Sequence, residues 1–301
     1  MITRTFKWDY AGKEWTWELQ IPQALYDFFK ELPRSPTQNY SVYVTHPLSE
    51  AYISKLAAGL TRNVEQEGYN SFQAVSFTAA FVQSLPYTVD KVTTGYDEYP
   101  RYPIETLVDS GGDCEDTTIL MLSLLDSMEY GAVVLTFSAT ATAGGHLAAG
   151  VKGGEGIYGS YYEYNGAKYY FLETTGNDWE LGDIPDEYAD SKASIYPLVP
   201  VPILTDSWTT SNNGFFLSVK VTVTNLGSAP AKDIYVNASF DAGNDKVWNR
   251  QESLLFDLDV DQAKIVTLYP RIPLGKHTRL LVQIVDDGYA VSTSYSTWFD
   301  S

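Results

Sequence analysis

The chain contains a single cysteine, Cys114, in the segment VDSGGDCEDTTILMLSLL. Ser110 or Asp113 can cap a helix that begins here, and the pair Gly111-Gly112 permits a sharp turn before it. Cys114 then falls in the first helical turn, where unpaired backbone N–H groups and the helix dipole stabilise a thiolate. This placement predicts a nucleophile.

The acidic neighbours of the cysteine favour the opposite interpretation. Asp113, Glu115 and Asp116 lie within two residues of Cys114, and like charge raises the pKa of a thiol. The same carboxylates serve as capping and dipole partners at a helix start, whether or not the cysteine reacts. A reactive thiolate therefore needs a cation nearby, and an unreactive buried cysteine is the alternative.

Histidine can supply that cation, and the chain has three. His46 lies in a loop that precedes the first long helix, and His277 lies in the C-terminal part. His146 begins a predicted strand in the same region as Cys114, within the small-residue segment AGGHLAAG. We therefore predict that His146 is the base, although a histidine on a strand is more often a core or edge residue.

A third group must orient the imidazole. In the predicted hairpin YYEYNGAKYYFLETT, strict alternation places Phe171 and Glu173 on one face. If this strand pairs with the one that begins at His146, Glu173 reaches the imidazole. An oxyanion hole needs the N–H of Cys114 and a second donor. Gln83 at a helix end is the candidate, and an ordinary surface glutamine is an equally good interpretation.

The first 200 residues combine helical and strand patterns. Alternating aromatic residues around Ala11-Gly12 predict a hairpin. Apolar residues three and four apart predict helices in PQALYDFFKEL, SEAYISKLAAGLTRNVEQE and SFQAVSFTAAFVQ. A buried helix follows Cys114, and then come strands in AVVLTFSA and HLAAGV and a hairpin at Asn165-Gly166. The pattern predicts an α+β domain with an antiparallel sheet.

The C-terminal third of the chain has the pattern of strands alone. The proline-rich segment YPLVPVPIL predicts an extended connector, with the domain boundary near Thr205. Six or seven short strands separated by turns then predict an immunoglobulin-like β-sandwich. We therefore predict two domains, residues 1–204 and 205–301.

Composition limits the possible partners. The chain has 301 residues, 44% of them apolar, and is long enough for two cores. Its 38 acidic and 20 basic residues give a net charge of −18, which disfavours nucleic acid and anionic membranes and favours cations or basic partners. No apolar run reaches about 18 residues, so we expect no membrane insertion. The sequence does not define an oligomeric state.

The compartment is equally undefined by the sequence. The segment MITRTFKWDY lacks the pattern of a signal peptide, and a lone cysteine excludes internal disulfides. The 23 tyrosines and seven tryptophans suit a sheet-rich surface protein. We therefore expect an extracellular or cell-surface location if a leader or anchor has been removed from the chain.

No cofactor is predicted, because one cysteine and three scattered histidines offer no zinc ligand pairs. Calcium is a further hypothesis, based on the net charge. In DLDVDQAKIVTL the residues Asp257, Asp259 and Asp261 alternate as in a calcium loop. Gln262 and Leu268 stand where an EF-hand needs glycine and glutamate, so an EF-hand is excluded.

Three segments in order, YPRYPIETLVDSGGDCEDTTIL, GHLAAGV and YYFLETTG, resemble the transglutaminase-like cysteine enzyme superfamily, particularly its microbial branch with the motif GDCED. The resemblance covers about residues 40–195. It implies a papain-like core of helix and antiparallel sheet, with Cys114 as nucleophile, His146 as base and acid, and Glu173 as the third member. The family usually has aspartate at that last position. The segment VKVTVTNLGSAPAKDIYVN resembles adhesion-type immunoglobulin-like modules.

These observations predict a thiol hydrolase, a cysteine peptidase or amidase that acts on peptide or isopeptide bonds of a protein or peptide substrate. The reaction would pass through a thioester. Two alternatives remain open. If an amine accepts the acyl group, the enzyme is a transglutaminase; if Cys114 is unreactive, the chain is a non-catalytic surface scaffold or adhesion protein.

Overall fold

The structure is a computed structural model, and it describes residues 1–34, 37–90, 99–139, 144–153, 157–244 and 246–301. The predicted small-residue loop before His146 lies partly outside these ranges. The chain divides into two compact units, Met1–Pro200 and Val201–Ser301. The first unit combines helices with antiparallel sheet, and the second consists of strands. This confirms the prediction that an α+β part precedes an all-β part.

The first unit begins with a hairpin of β1 (Ile2–Tyr10) and β2 (Lys13–Ile21). Ala11 and Gly12 both have positive φ, 52° and 74°, which the tight turn requires. Trp8 of β1 stacks against Trp15 of β2 with 6.2 Å between ring centroids. The hairpin is therefore held by its turn and by its aromatic pairs.

Helices follow the hairpin: α1 (Gln23–Glu31), α2 (Ser41–Val44), α3 (Pro47–Glu67), α4 (Ser71–Gln83), α5 (Pro103–Asp109) and α6 (Cys114–Ser127). Helix α6 is the central one, because every residue from Asp116 to Leu125 is buried. Its apolar residues point in all directions around the helix, as the sequence predicted. Within the described ranges, the helices lack the combined length and hydropathy of a bilayer-spanning helix.

The main sheet of this unit has five strands in the order β5-β6-β4-β3-β7. Its strands are β3 (Ala132–Phe137), β4 (His146–Lys152), β5 (Tyr161–Tyr164), β6 (Ala167–Leu172) and β7 (Ala193–Pro197). All neighbouring pairs are antiparallel. Strand β4 lies between β3 and β6, so its first residue, His146, is near the end of β6, where Glu173 follows.

The second unit consists of two main sheets that share a core. One has the order β13-β9-β8 and the other β11-β10-β15-β16. These strands are β8 (Leu204–Asn213), β9 (Phe216–Asn225), β10 (Ala231–Gly243), β11 (Lys246–Glu252), β13 (Ala263–Leu268), β15 (Leu280–Asp286) and β16 (Tyr289–Tyr295). Short strands β12 (Phe256–Leu258), β14 (His277–Thr278) and β17 (Phe299–Asp300) complete it. The core includes Val221 of β9 and Val282 of β15, both fully buried.

The proline-rich segment between the units includes the end of one strand and the start of the next. Strand β7 continues to Pro197, and Leu204 begins β8 and is buried in the core of the second unit. Residues 201–204, which the sequence analysis grouped with the first part, thus belong to the compact second unit.

Candidate functional site

Cys114 is the first residue of α6, and only 9% of it is exposed. The preceding Gly111 and Gly112 lie against the segment around Tyr87: Gly112 N–H donates to Pro86 O at 3.2 Å and Gly112 O accepts from Thr88 N–H at 2.9 Å. A Cβ at Gly111 would approach Pro86 O to 2.7 Å. The glycines are therefore needed for close approach rather than for a left-handed turn.

Threonine hydroxyls connect α6 to the sheet next to the cysteine. Thr118 donates to Leu147 O at 3.2 Å, and its hydroxyl lies 2.9 Å from that of Thr174. The hydroxyl of Thr117 is 3.0 Å from the same Thr174 hydroxyl. Thr118 and Thr174 are almost fully buried, so these bonds fix the start of α6 against β4 and the end of β6.

The structure brings His146 and Glu173 together. His146 Nε2 lies 2.8 Å from Glu173 Oε2. The other carboxylate oxygen, Oε1, accepts from the backbone N–H of Thr174 at 3.0 Å and of Thr175 at 2.9 Å, and from the Thr175 hydroxyl at 2.7 Å. Burial would raise the pKa of Glu173, but the bonds from His146 and Thr175 outweigh it and lower this pKa. Glu173 is therefore an ionised, fixed partner for the imidazole.

Cys114, His146 and Glu173 line one pocket of about 700 Å³. A second pocket of about 770 Å³ shares the lining residues Gly145 and His146 with the first. Glu115 lines this second pocket. Two pockets thus adjoin the histidine, and the volume of each is in the range of ligand sites.

The thiol is not set up as a thiolate in this arrangement, contrary to the expectation from the helix start. Burial raises the pKa of Cys114, and so does Glu115, whose Oε2 accepts from Sγ at 3.1 Å. The backbone N–H of Leu147, next to His146, opposes this rise. The helix dipole is outweighed because the nearest hydrogen-bonding side chain is an acid and not the imidazole.

Gln83 does not serve as the predicted oxyanion donor in this structure. Its amide group donates to Glu173 O at 2.8 Å and to Trp179 O at 3.1 Å, so both amide hydrogens are engaged. The side chain is 5% exposed and lines a different pocket, with Trp179. Gln83 therefore ties the end of β6 to the following loop, a tertiary role that a helix pattern does not reveal.

Three acids beside the cysteine have the spacing of metal ligands: oxygens of Asp90, Asp113 and Asp116 lie within 4.8 Å of one another. The buried Arg101 occupies the same cluster. Its Nη1 is 3.1 Å from Asp90 Oδ1 and also contacts Asp116 Oδ2, and its backbone N–H donates to Asp116 Oδ1 at 2.7 Å. A guanidinium already pairs with two of the carboxylates, whereas Asp113 Oδ1 is buried without a hydrogen-bond partner in the part of the chain that the structure describes. Calcium dependence stays a prediction.

Three aromatic residues of the pocket were not predicted from the sequence. Tyr188 stacks on His146, with ring centroids 4.7 Å apart and planes 12° from parallel. Tyr87 also lines the pocket, and burial and the nearby Cys114 raise its pKa to about 12. Trp179 lines it as well. In the sequence these residues lie among many other aromatics in loops, so only the tertiary structure distinguishes them.

Comparisons with known proteins leave the family open. No protein-family model and no curated protein matches the chain. Among solved structures, Legionella pneumophila LapG matches 49% of this chain and 87% of its own at 16% identity, with a TM-score of 0.35. A DUF3823 family protein from Bacteroides ovatus matches 57% of this chain and 88% of its own at 13% identity, with a TM-score of 0.25. Similarities this low carry no argument about function.

Proposed function

We propose that the protein is a thiol hydrolase that cleaves peptide or isopeptide bonds with Cys114 as nucleophile. The observation that carries this proposal is the shared pocket, where a fixed His146–Glu173 pair lies beside the thiol at the start of a buried helix. The N–H of Leu147 beside the sulfur places the start of β4 against the cysteine. Nucleophile, base and orienting acid are the three parts that thiol catalysis needs.

Catalysis requires the thiol to exchange partners. Cys114 must turn from Glu115 toward the imidazole nitrogen that Glu173 does not hold, and that nitrogen takes the thiol proton. The thiolate then attacks the carbonyl carbon, and the leaving amine receives the proton from His146 as the thioester forms. Water, deprotonated by His146, next attacks the thioester, which releases the acid and restores the thiol.

The oxyanion of each tetrahedral intermediate needs donors other than Gln83. The backbone N–H of Cys114 lies at the start of α6, where the first N–H groups have no partner within the helix. We assign the second donor to the phenol of Tyr87. Its side chain lines the same pocket as Cys114, and a tyrosine hydroxyl is protonated at neutral pH, so it can donate to an oxyanion.

The two pockets that adjoin His146 can take side chains on either side of a scissile bond, which supports a protein or peptide substrate. The buried helix α6 and the five-stranded antiparallel sheet support the finer fold proposal, in which the first unit is a papain-like, transglutaminase-like catalytic domain. For the second unit, we infer an immunoglobulin-like sandwich from its two sheets around one core. Hydrolysis is favoured over transfer to an amine because the pocket is open and lined by polar groups, which admit water.

Alkylation of the thiol tests the proposal, since Cys114 is the only cysteine and all labelling reports on it. We expect iodoacetamide to label the native chain with a rate that rises with pH, and to label the Glu115→Gln variant faster at neutral pH. A thiol pKa lower by one unit gives about tenfold more thiolate. Peptide hydrolysis, followed on a mixed peptide library by mass spectrometry, should be lost in Cys114→Ala.

The raised thiol pKa favours a second candidate, a non-catalytic scaffold. In that case the Glu115→Gln variant would label faster, yet neither it nor the native chain would cleave any library peptide. Cleavage that survives in Cys114→Ala would refute the hydrolase assignment outright. Cleavage that depends on Cys114 would refute the scaffold.

A further inference from the structure

The second unit has a pocket on the outer face of its sheet β11-β10-β15-β16. Along β10, Val236, Ala238 and Phe240 are fully buried in the core. The alternate residues point the other way. There they line a pocket of about 540 Å³, whose wall and floor include Asn237, Ser239, Asp241, Arg250, Arg279, Gln283, Tyr295 and Trp298. This volume is in the range of small-ligand sites.

The floor of the pocket is polar and incompletely bonded. Asn237 and Ser239 are each 1% exposed, although they lie on the face opposite to the core. Asn237 Nδ2 donates to Gln283 Oε1 at 3.1 Å. Asn237 Oδ1 and Ser239 Oγ have no hydrogen-bond partner in the part of the chain that the structure describes. Burial of such atoms is costly unless another molecule completes their bonds.

Arg279 is the fixed part of the pocket wall. Its Nε lies 2.9 Å from Asp241 Oδ2, and its guanidinium lies 3.8 Å from the ring centroid of Tyr295. Paired in this way, Arg279 keeps its position and retains donors that a ligand can use. Arg250 Nη2 lies 2.7 Å from Glu252 Oε1, but this pair is half exposed and contributes little.

The chemistry of floor and wall narrows the ligand classes. An anion would be attracted by Arg250 and Arg279 but would leave the acceptor Asn237 Oδ1 without a donor. A metal cation would meet the two guanidiniums of Arg250 and Arg279. A group that donates to Asn237 Oδ1 and both donates and accepts at Ser239 Oγ satisfies the floor, and a neutral hydroxyl is such a group.

We propose that this pocket binds a saccharide. Neighbouring sugar hydroxyls would complete the bonds of Asn237 and Ser239 and bridge the Asp241–Arg279 pair. Tyr295 and Trp298, each almost half exposed, would border the ring and exclude water. The second unit would then attach the chain to a glycan, a function independent of Cys114.

The test uses the full chain on a printed array of neutral oligosaccharides, followed by calorimetric titration with the sugar that binds. Ser239→Ala removes one floor hydroxyl, and Tyr295→Ala removes part of the border. Tyr289→Ala is the matched control, because Tyr289 lies on the same strand, is 75% exposed and does not line the pocket. Thermal denaturation of each variant measures its folding.

We expect binding to at least one neutral saccharide, weakened about tenfold or more by Ser239→Ala and by Tyr295→Ala and unchanged by Tyr289→Ala. Ser239→Ala should not lower the melting temperature, since it removes a buried hydroxyl without a partner. No binding on the array, or equal binding by all three variants, would overturn the proposal. Alkylation of Cys114 should be the same in each variant, which separates this test from that of the hydrolase.

Discussion

Two histidine–carboxylate pairs of this protein share nearly the same geometry. His146 Nε2 lies 2.8 Å from Glu173, and His277 Nδ1 lies 2.8 Å from Asp300. Each imidazole stacks on an aromatic ring, the first on Tyr188 at 4.7 Å and the second on a tryptophan at 5.2 Å. Distance and partner type therefore do not distinguish a candidate catalytic pair from a surface one.

The two pairs differ in their surroundings. The side chains of His146 and Glu173 are 10% and 3% exposed, whereas those of His277 and Asp300 are 65% and 89% exposed. An exposed pair is screened by water and contributes little. The buried pair is fixed by further bonds to Glu173 and lies beside a thiol. Burial and a neighbouring nucleophile, rather than the pair itself, make a site capable of chemistry.

Removal of each imidazole is the strongest test of this comparison. We expect His146→Ala to slow Cys114-dependent peptide cleavage by about 10²- to 10⁴-fold, the usual contribution of a general base. His277→Ala should leave the rate unchanged. Initial rates on the best library peptide, measured for both variants at neutral pH, provide the check. Equal rates for the two variants would remove the distinction between the pairs.

Replacement of each carboxylate by an amide tests how much each pair contributes to the free energy of unfolding. Glu173→Gln cannot accept all four bonds in the same way, so we expect it to lower the free energy of unfolding by about 1–3 kcal/mol. Asp300→Asn should change it by about 0.5 kcal/mol or less, because the pair is exposed. Urea denaturation of both variants and of the native chain measures the difference.

The difference in unfolding free energy between the native chain and Glu173→Gln should change with pH in a defined direction. Because the pKa of Glu173 is lowered on folding, its contribution is complete above the ordinary pKa of a glutamate. It is lost as the pH falls through the lowered value. The native chain and Glu173→Gln should therefore converge in stability at acid pH, and a constant gap across the acid range would contradict the assigned bonds.

Local sequence patterns predicted much of the fold. The hairpins at Ala11-Gly12 and Asn165-Gly166 follow from turn chemistry, and all four central residues have the positive φ that such turns require. The helix after Cys114 was predicted with its burial. Strands β8 and β11 were missed because residues such as those in DSWTTSNN and KVWNRQE are polar on both faces, without alternation.

The site was predicted less completely than the fold. The sequence indicated Cys114, His146 and Glu173, and the structure places them around one pocket. The sequence did not predict that the Glu115 carboxylate would accept a hydrogen bond from the thiol, or that Arg101 would pair with the acids of the cluster. The first contact depends on the side-chain conformation of a neighbouring residue, and the second on how separated segments pack, as with Arg101 and Asp116 at the start of α6. The spacing of residues along the chain does not reveal side-chain contacts of this kind.

The acid next to the cysteine offers the most specific test, since its pKa changes in the direction opposite to that of Glu173. Burial and then Asp116, Glu115 and Asp90 raise the pKa of Asp113 to about 9. The folded chain thus holds a proton that the unfolded chain has lost, and stability falls as pH rises from the ordinary aspartate range toward about 9. Asp113→Asn imitates the protonated form and is an equally good helix cap.

We therefore expect Asp113→Asn to be nearly as stable as the native chain at pH 5 and more stable at pH 8. Urea denaturation at both pH values measures the change, and Asp257→Asn serves as the control. That exposed aspartate has a lowered pKa, so its replacement should not produce a gain at pH 8. A gain for Asp113→Asn that is the same at both pH values would show that the carboxyl is ionised throughout. The two acids that flank this chemistry, Glu173 and Asp113, would then no longer differ in charge state.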